Sequence, residues 1–145
     1  MAEPGKPLPR VTSLTRPFWE AAAQKRLVIQ RCTKCEEYVW CPRPACTECG
    51  CDQLTWTPVS GRGSVFSFTV IRQVIARGAN AFEKEIPYVV AWIDLDEGPR
   101  LCSNVVDCPL DQIVIGMPVE VLFEEASPEI SLPKFRPQSR TATLP

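Results

Sequence analysis

Four cysteines spaced C-x2-C-x10-C-x2-C, at Cys32, Cys35, Cys46 and Cys49, restrict this chain more than any other feature. Two CxxC knuckles bring four thiolates into one tetrahedron, which suits the soft-ligand preference of zinc at ~2.3 Å. Four thiolates leave no open position for water, so the site is expected to be structural rather than catalytic. Metal binding of this kind contributes roughly 10–16 kcal/mol to folding in small zinc peptides. That is enough to hold a ribbon too small to fold alone. Iron would also fit four thiolates, but no redox partner is evident. Cys41 and Cys51 lie in the same region, yet neither forms a CxxC pair of its own. Cys102 and Cys108 are expected in or beside the core as small apolar side chains.

A disulfide framework is the competing use of eight cysteines, but six of them crowd into residues 32–51, a metal pattern. The sequence has no apolar run near the ~18–20 residues needed to cross a bilayer. Its first ten residues, MAEPGKPLPR, lack a secretory apolar core. A cytoplasmic location follows as an expectation, where thiols stay reduced.

Chemistry is limited by the absence of any histidine. That removes the commonest general base, the Ser-His and Cys-His pairs and the usual catalytic zinc ligands. No Gly-rich phosphate loop or dinucleotide fingerprint is present. Asp94, Asp96 and Glu97 read as solvated hairpin residues. The chain is therefore not expected to be an enzyme on its own.

The remaining sequence divides into four parts. Residues 1–27 form an N-terminal arm and helix, with three prolines before Thr15 and a short helix at roughly 16–26. Thr15 is the expected cap and Pro17 is tolerated in the first turn. Phe18 and Trp19 are adjacent on this helix and cannot both face a small core easily, so one is expected to be offered to a partner. Residues 28–59 form the zinc ribbon, with LVIQRC running into the first knuckle and QLTWTPV returning from the second. After a turn at Ser60-Gly61-Arg62-Gly63, residues 60–126 carry four or five short strands, a small antiparallel barrel of OB-fold type. In SVFSFTVIRQV the alternation places Phe66, Phe68 and Val70 on one face, opposite Ser67 and Thr69. A polar stretch, ARGANAFEKE, follows, and DEGP marks a later hairpin. CPLDQIVIG is expected to hold a helical turn, and PVEVLFEE a strand with Val119, Val121 and Phe123 inward. Residues 127–145, with four prolines, read as an extended tail without a core of its own. The fold class is thus mainly β: N-terminal helix, zinc ribbon, C-terminal OB barrel and extended tail.

RPFWEAAAQKRLVIQRCTKC, CPRPACTECG, SGRGSVFSFTVIR, PYVVAWIDLDEGPRL, IGMPVEVLFEE and LPKFRP, in that order, resemble a known family. It is the family of zinc-ribbon plus OB-fold accessory proteins that accompany thiolase-like enzymes, and the likeness covers about residues 15–137. The resemblance implies a rubredoxin-like ribbon and an obligate complex with a thiolase-fold enzyme subunit, as heterotetramer or larger heteromer. It implies a non-catalytic role: stabilising the enzyme and helping to bind or channel a CoA thioester while the partner cleaves or condenses the acyl chain.

Residues 1–35 carry seven basic against two acidic side chains, so a basic front could meet the CoA phosphates through Arg31, Lys34 and Arg43. Trp19, Tyr38 or Trp40 could stack on adenine or pack on the partner. A nucleic-acid-binding module is the alternative, since ribbons and OB barrels serve there too. Against it, residues 61–145 hold eight basic and eleven acidic side chains.

Overall fold

The computed structural model describes residues 5–75 and 80–139. The start of the arm (1–4), part of the polar stretch (76–79) and the end of the expected tail (140–145) lie outside the described residues.

Helix α1 covers Arg16–Ala23, with a proline in its first turn. Thr15 does not cap it through its side chain, because the hydroxyl turns back to accept the Thr12 amide at 3.0 Å. The helix also stops three residues short of the expected 26. Lys25 takes a left-handed φ of 61°, and the amides of Lys25 and Arg26 return to the carbonyls of Ala22 and Ala21, both at 2.9 Å. This is a Schellman stop made without glycine. Phe18, Ala21 and Ala22 face inward.

The ribbon is a three-stranded sheet in the order β2-β1-β3, built from β1 (Val28–Cys32), β2 (Tyr38–Val39) and β3 (Leu54–Pro58). Both pairings are antiparallel, with Gln30 opposite Val39 on one side and Trp56 on the other. The two-residue β2 is too short to show a period in the sequence.

Five strands then close a barrel: β4 (Arg62–Ile71), β5 (Tyr88–Leu95), β6 (Arg100–Val105), β7 (Pro118–Glu125) and β8 (Ser131–Pro137). Their order around the barrel is β4-β5-β6-β8-β7, with β7 returning to β4. Only the β6–β8 pairing is parallel. This is OB-fold connectivity, and closure removes the exposed strand edges. The Asp96–Pro99 hairpin joins β5 to β6, and a turn of 3₁₀ helix at Leu110–Gln112 precedes β7.

Three expectations are corrected here. The segment read as an extended tail supplies β8, paired along its whole length with β7, and its Phe135 is fully buried. Phe66 does not share the inward face of Phe68 and Val70. A bulge between Val65 and Ser67 turns it outward, 47% exposed, beneath the Arg100 guanidinium 3.4 Å from the ring centroid. Arg62 and Gly63 belong to β4 rather than to the turn. Gly63 packs so closely over β5 that a Cβ there would lie 2.3 Å from the Asp94 carbonyl oxygen.

One apolar cluster runs from Phe18, Leu27 and Ile29 into the barrel at Val65, Ile93, Val119 and Phe135. The helix and the base of the ribbon therefore share a core with the barrel. A second, small cluster of Cys32, Val39 and Cys46 lies under the knuckles.

Candidate metal centre and its surroundings

The two knuckles are built alike. In the first, the Glu36 amide donates to the Cys32 carbonyl at 3.0 Å and the Cys32 amide to the Glu37 carbonyl at 2.9 Å. In the second, the Gly50 amide donates to the Cys46 carbonyl at 3.0 Å and the Cys46 amide to the Cys51 carbonyl at 2.8 Å. The fifth residue of each knuckle takes a left-handed conformation, φ 63° at Glu36 and 75° at Gly50. Cys51 thus stands where Glu37 stands in the first knuckle: its carbonyl closes the turn, and its sulfur accepts the Gln53 amide at 3.4 Å. That placement explains why a fifth cysteine so close in sequence is outside the cluster. Cys41 is exposed and also outside it.

The sulfurs of Cys32, Cys35, Cys46 and Cys49 all lie within 4.8 Å of one another. Cys32 and Cys49 are 3.6 Å apart, and Cys35 and Cys46 are 3.5 Å apart. A tetrahedron of ~2.3 Å bonds has edges of about 3.8 Å, so the four sulfurs are positioned for zinc. Backbone amides stiffen the cluster: Lys34 donates to the Cys32 sulfur and Glu48 to the Cys46 sulfur, each at 3.4 Å. Hydrogen bonds from the backbone of Cys35, then of Lys34, lower the Cys32 thiol to about 6, against the effect of burial. Cys35 goes the other way. The Glu37 backbone pulls it down, but burial and the neighbouring sulfurs outweigh that and push it up to about 12. Cys49 is also raised, since burial and the Cys32 sulfur overcome a backbone bond to Cys51. The protein alone stabilises one thiolate readily and resists the next. A divalent cation supplies the charge that lets all four deprotonate. Among the described residues no other group of cysteines and carboxylates is arranged to hold a metal.

The expected contact residues are distributed around this centre. Arg31 donates through Nε to the Glu36 carbonyl at 2.8 Å and lies 5.2 Å from the Tyr38 ring centroid. These two form one unit on the first knuckle, beside exposed Lys34. Arg43 lies apart, exposed on the loop leading to the second knuckle. Phe18, expected with Trp19 as a partner-facing aromatic, is 4% exposed and shows only an edge, to a neighbouring cavity. It is the centre of an aromatic junction, with Trp19 at 4.9 Å, Trp40 at 5.2 Å and Trp56 at 6.3 Å between ring centroids. Trp19 and Trp40 remain half-buried.

Sequence reasoning missed this junction, because Phe18, Trp40 and Trp56 are distant in the chain and no period links them. A cavity of about 390 Å³ opens beside it, lined by Trp19, Trp40 and Pro42 together with Cys102, Asn104 and Lys134 of the barrel. Cys102 is exposed on the outer face of β6, opposite Trp92, whereas Cys108 is half-buried and its thiol is pushed up by burial and then by Asp111. A larger cavity of about 1100 Å³ lies under the arm residues Gly5–Pro9, where Lys6 pairs with Glu85.

Residues 19–58 match the family described as ChsH2, rubredoxin-like zinc ribbon domain, and residues 56–124 match ChsH2, C-terminal OB-fold domain. A probable enoyl-CoA hydratase alpha subunit of Thermomonospora curvata is 44% identical over 83% of this chain, which spans only 36% of that relative. A DUF35 domain-containing scaffold protein of Methanothermobacter thermautotrophicus is 32% identical over 82% of this chain and 87% of its own length. Among solved structures, one named Ltp2-ChsH2(DUF35) aldolase superposes with a TM-score of 0.79 at 42% identity, covering 90% of this chain and 98% of that one.

Proposed function

This chain belongs to the ChsH2-type, DUF35 family of zinc-ribbon and OB-fold proteins, and from that premise we propose that it is the non-catalytic subunit of a thiolase-fold acyl-CoA enzyme. The observation that carries the proposal is the likeness, along nearly the whole chain, to the structure named Ltp2-ChsH2(DUF35) aldolase. The chemistry of the chain is consistent with a subsidiary role. It has no histidine, and the one metal-binding cluster among the described residues presents four thiolates, which close the coordination sphere. When bound, zinc supplies rigidity to the ribbon. The residues of this chain then bind and orient, and the partner breaks or forms the carbon–carbon bond.

In this reading Arg31, Lys34 and Arg43 provide cations for the phosphates of a CoA thioester shared with the partner. Trp19, Tyr38 and Trp40 provide half-buried aromatic surface to the enzyme or to adenine. The complex is a heterotetramer or larger heteromer in the cytoplasm. Among the described residues no helix is long and apolar enough to cross a membrane. Because the hydratase-named relative is much longer than this chain, the reaction of the partner (retro-aldol or thiolytic cleavage, condensation, or hydration) belongs to the proposal as well.

Co-expression with a neighbouring thiolase-fold gene tests the idea. A stable heteromer active on a CoA thioester is expected, with this chain inactive when isolated. A lone chain that captures no such enzyme, but binds an oligonucleotide with steep salt dependence, would overturn it in favour of a nucleic-acid module.

A further inference from the structure

Gln30 is the middle residue of β1, the central strand of the ribbon, and its side chain is buried at 4% exposure. A buried primary amide is costly unless its donor and acceptor are both met. Here one residue meets both. The Arg43 amide donates to Gln30 Oε1 at 2.8 Å, and Gln30 Nε2 donates to the Arg43 carbonyl at 3.0 Å. Pro42 and Pro44 flank Arg43 and carry no N–H, so Arg43 holds the only backbone donor between Cys41 and Ala45. The Gln30 amide therefore takes the one backbone donor of the Pro42–Pro44 stretch, as the edge of a neighbouring strand would. Proline on both sides narrows the remaining backbone freedom.

With its backbone tied inward, Arg43 is left with its side chain exposed. Among the described residues its guanidinium makes no ion pair, in contrast to Arg100 and Arg136, which pair with Asp94 and Glu120. The same loop begins at Trp40 and Pro42, which wall the cavity against α1 and the barrel. The loop is thus anchored at both ends, by the aromatic junction and by the second knuckle, and pinned at its centre by Gln30.

We infer that Gln30 is a positioning residue, whose buried amide holds the Cys41–Ala45 loop so that Arg43 is presented, already ordered, to an anionic group where the enzyme subunit docks. The docking half rests on the proposed function above; the pinning of the loop is a property of this chain alone. Ordering the guanidinium's base before binding lowers the entropy lost on association, and its planar fork suits a carboxylate or a phosphate.

Two substitutions separate the parts of this inference. Gln30→Met keeps the length of the side chain and removes both hydrogen bonds. Arg43→Ala removes the guanidinium and leaves the backbone bonds in place. Hydrogen exchange of the residue-43 amide is measured by NMR on the isolated, zinc-loaded chain. Slow exchange is expected in the unsubstituted protein and in Arg43→Ala, and exchange at least tenfold faster in Gln30→Met with zinc content unchanged. Should Gln30→Met lose zinc, Gln30→Leu, which likewise removes the acceptor of the Arg43 amide and the donor to its carbonyl, is read in the same way.

Affinity for the enzyme subunit is expected to fall about tenfold in either single variant, and no further in the double variant. Loss seen without CoA assigns the anion to the enzyme, and loss seen only with CoA assigns it to the thioester phosphates; either supports the inference. Unchanged exchange of the residue-43 amide in Gln30→Met, unchanged affinity in that variant, or additive losses would each overturn it. If the unsubstituted chain captures no enzyme, the proposed function fails, while the amide exchange still decides the role of Gln30 in the loop.

Discussion

Replacing Phe135 by alanine removes the largest fully buried side chain of the barrel from a strand that pairs with both β6 and β7. Phe135 lies opposite Val121 on β7 and Val105 on β6, in the same cluster as Ile93 and Val119, so neighbours on several strands would line the void. Such a change costs about 3–5 kcal/mol, combining lost transfer free energy with an unfilled cavity. A domain of this size is stable by only about 5–15 kcal/mol, so the loss is a large share of the total. At about 4–8 °C per kcal/mol for a unit of 60–100 residues, the midpoint of thermal unfolding should fall by about 12 °C or more. Circular dichroism of the zinc-loaded chain reads this directly. Metal analysis of the same sample provides the control, because the cluster of Cys32, Val39 and Cys46 is separate from the barrel core. Phe135→Leu should recover most of the loss, as it refills much of the volume. A shift of less than about 4 °C for Phe135→Ala, equivalent to about 1 kcal/mol or less, would refute the closure of the barrel by β8. It would return residues 127–145 to the role of a tail.

Three further outcomes follow from the geometry. Cys46→Ser should abolish stoichiometric zinc binding and expose the ribbon to proteolysis, measured by metal analysis and limited digestion, since three thiolates leave the coordination sphere open. Zinc affinity should rise with pH. Cys35, pushed up to about 12, and Cys49, also raised, both hold protons at pH 7 that zinc must displace, so competition with a chelator should show at least about a hundredfold gain from pH 7 to 8. Cys32, lowered to about 6, is already largely ionised there and adds to the slope only as pH falls toward that value. Gly63→Ala should destabilise the barrel by about 1–3 kcal/mol in denaturant melts, because the new Cβ would strike the Asp94 carbonyl and force β4 from β5.

What could be read from the chain was what depends on neighbours in sequence. The cysteine spacing determined the metal site, because each knuckle is a closed local turn whose hydrogen bonds span four or five residues. The inward face of β7, with Val119, Val121 and Phe123, and the DEGP hairpin likewise followed from a period of two and from turn chemistry. The resemblance of the ordered motifs to a family carried the functional reading, which no residue pattern alone supplied.

Tertiary structure decided the rest. Four prolines made residues 127–145 look like a tail, yet Ser131–Pro137 becomes a strand because a parallel gap beside β6 and an antiparallel one beside β7 need a partner. The inward face of β4 changed at a bulge that only the pairing with β5 creates. Phe18 was withdrawn from the surface by Trp40 and Trp56, which reach it from the ribbon. Gln30 and Arg43, thirteen residues apart with no motif between them, meet only because the ribbon folds the loop back over its own central strand. Local turns store their information in adjacent residues, whereas strand closure, aromatic packing and loop anchoring depend on surfaces that exist only once the chain has folded.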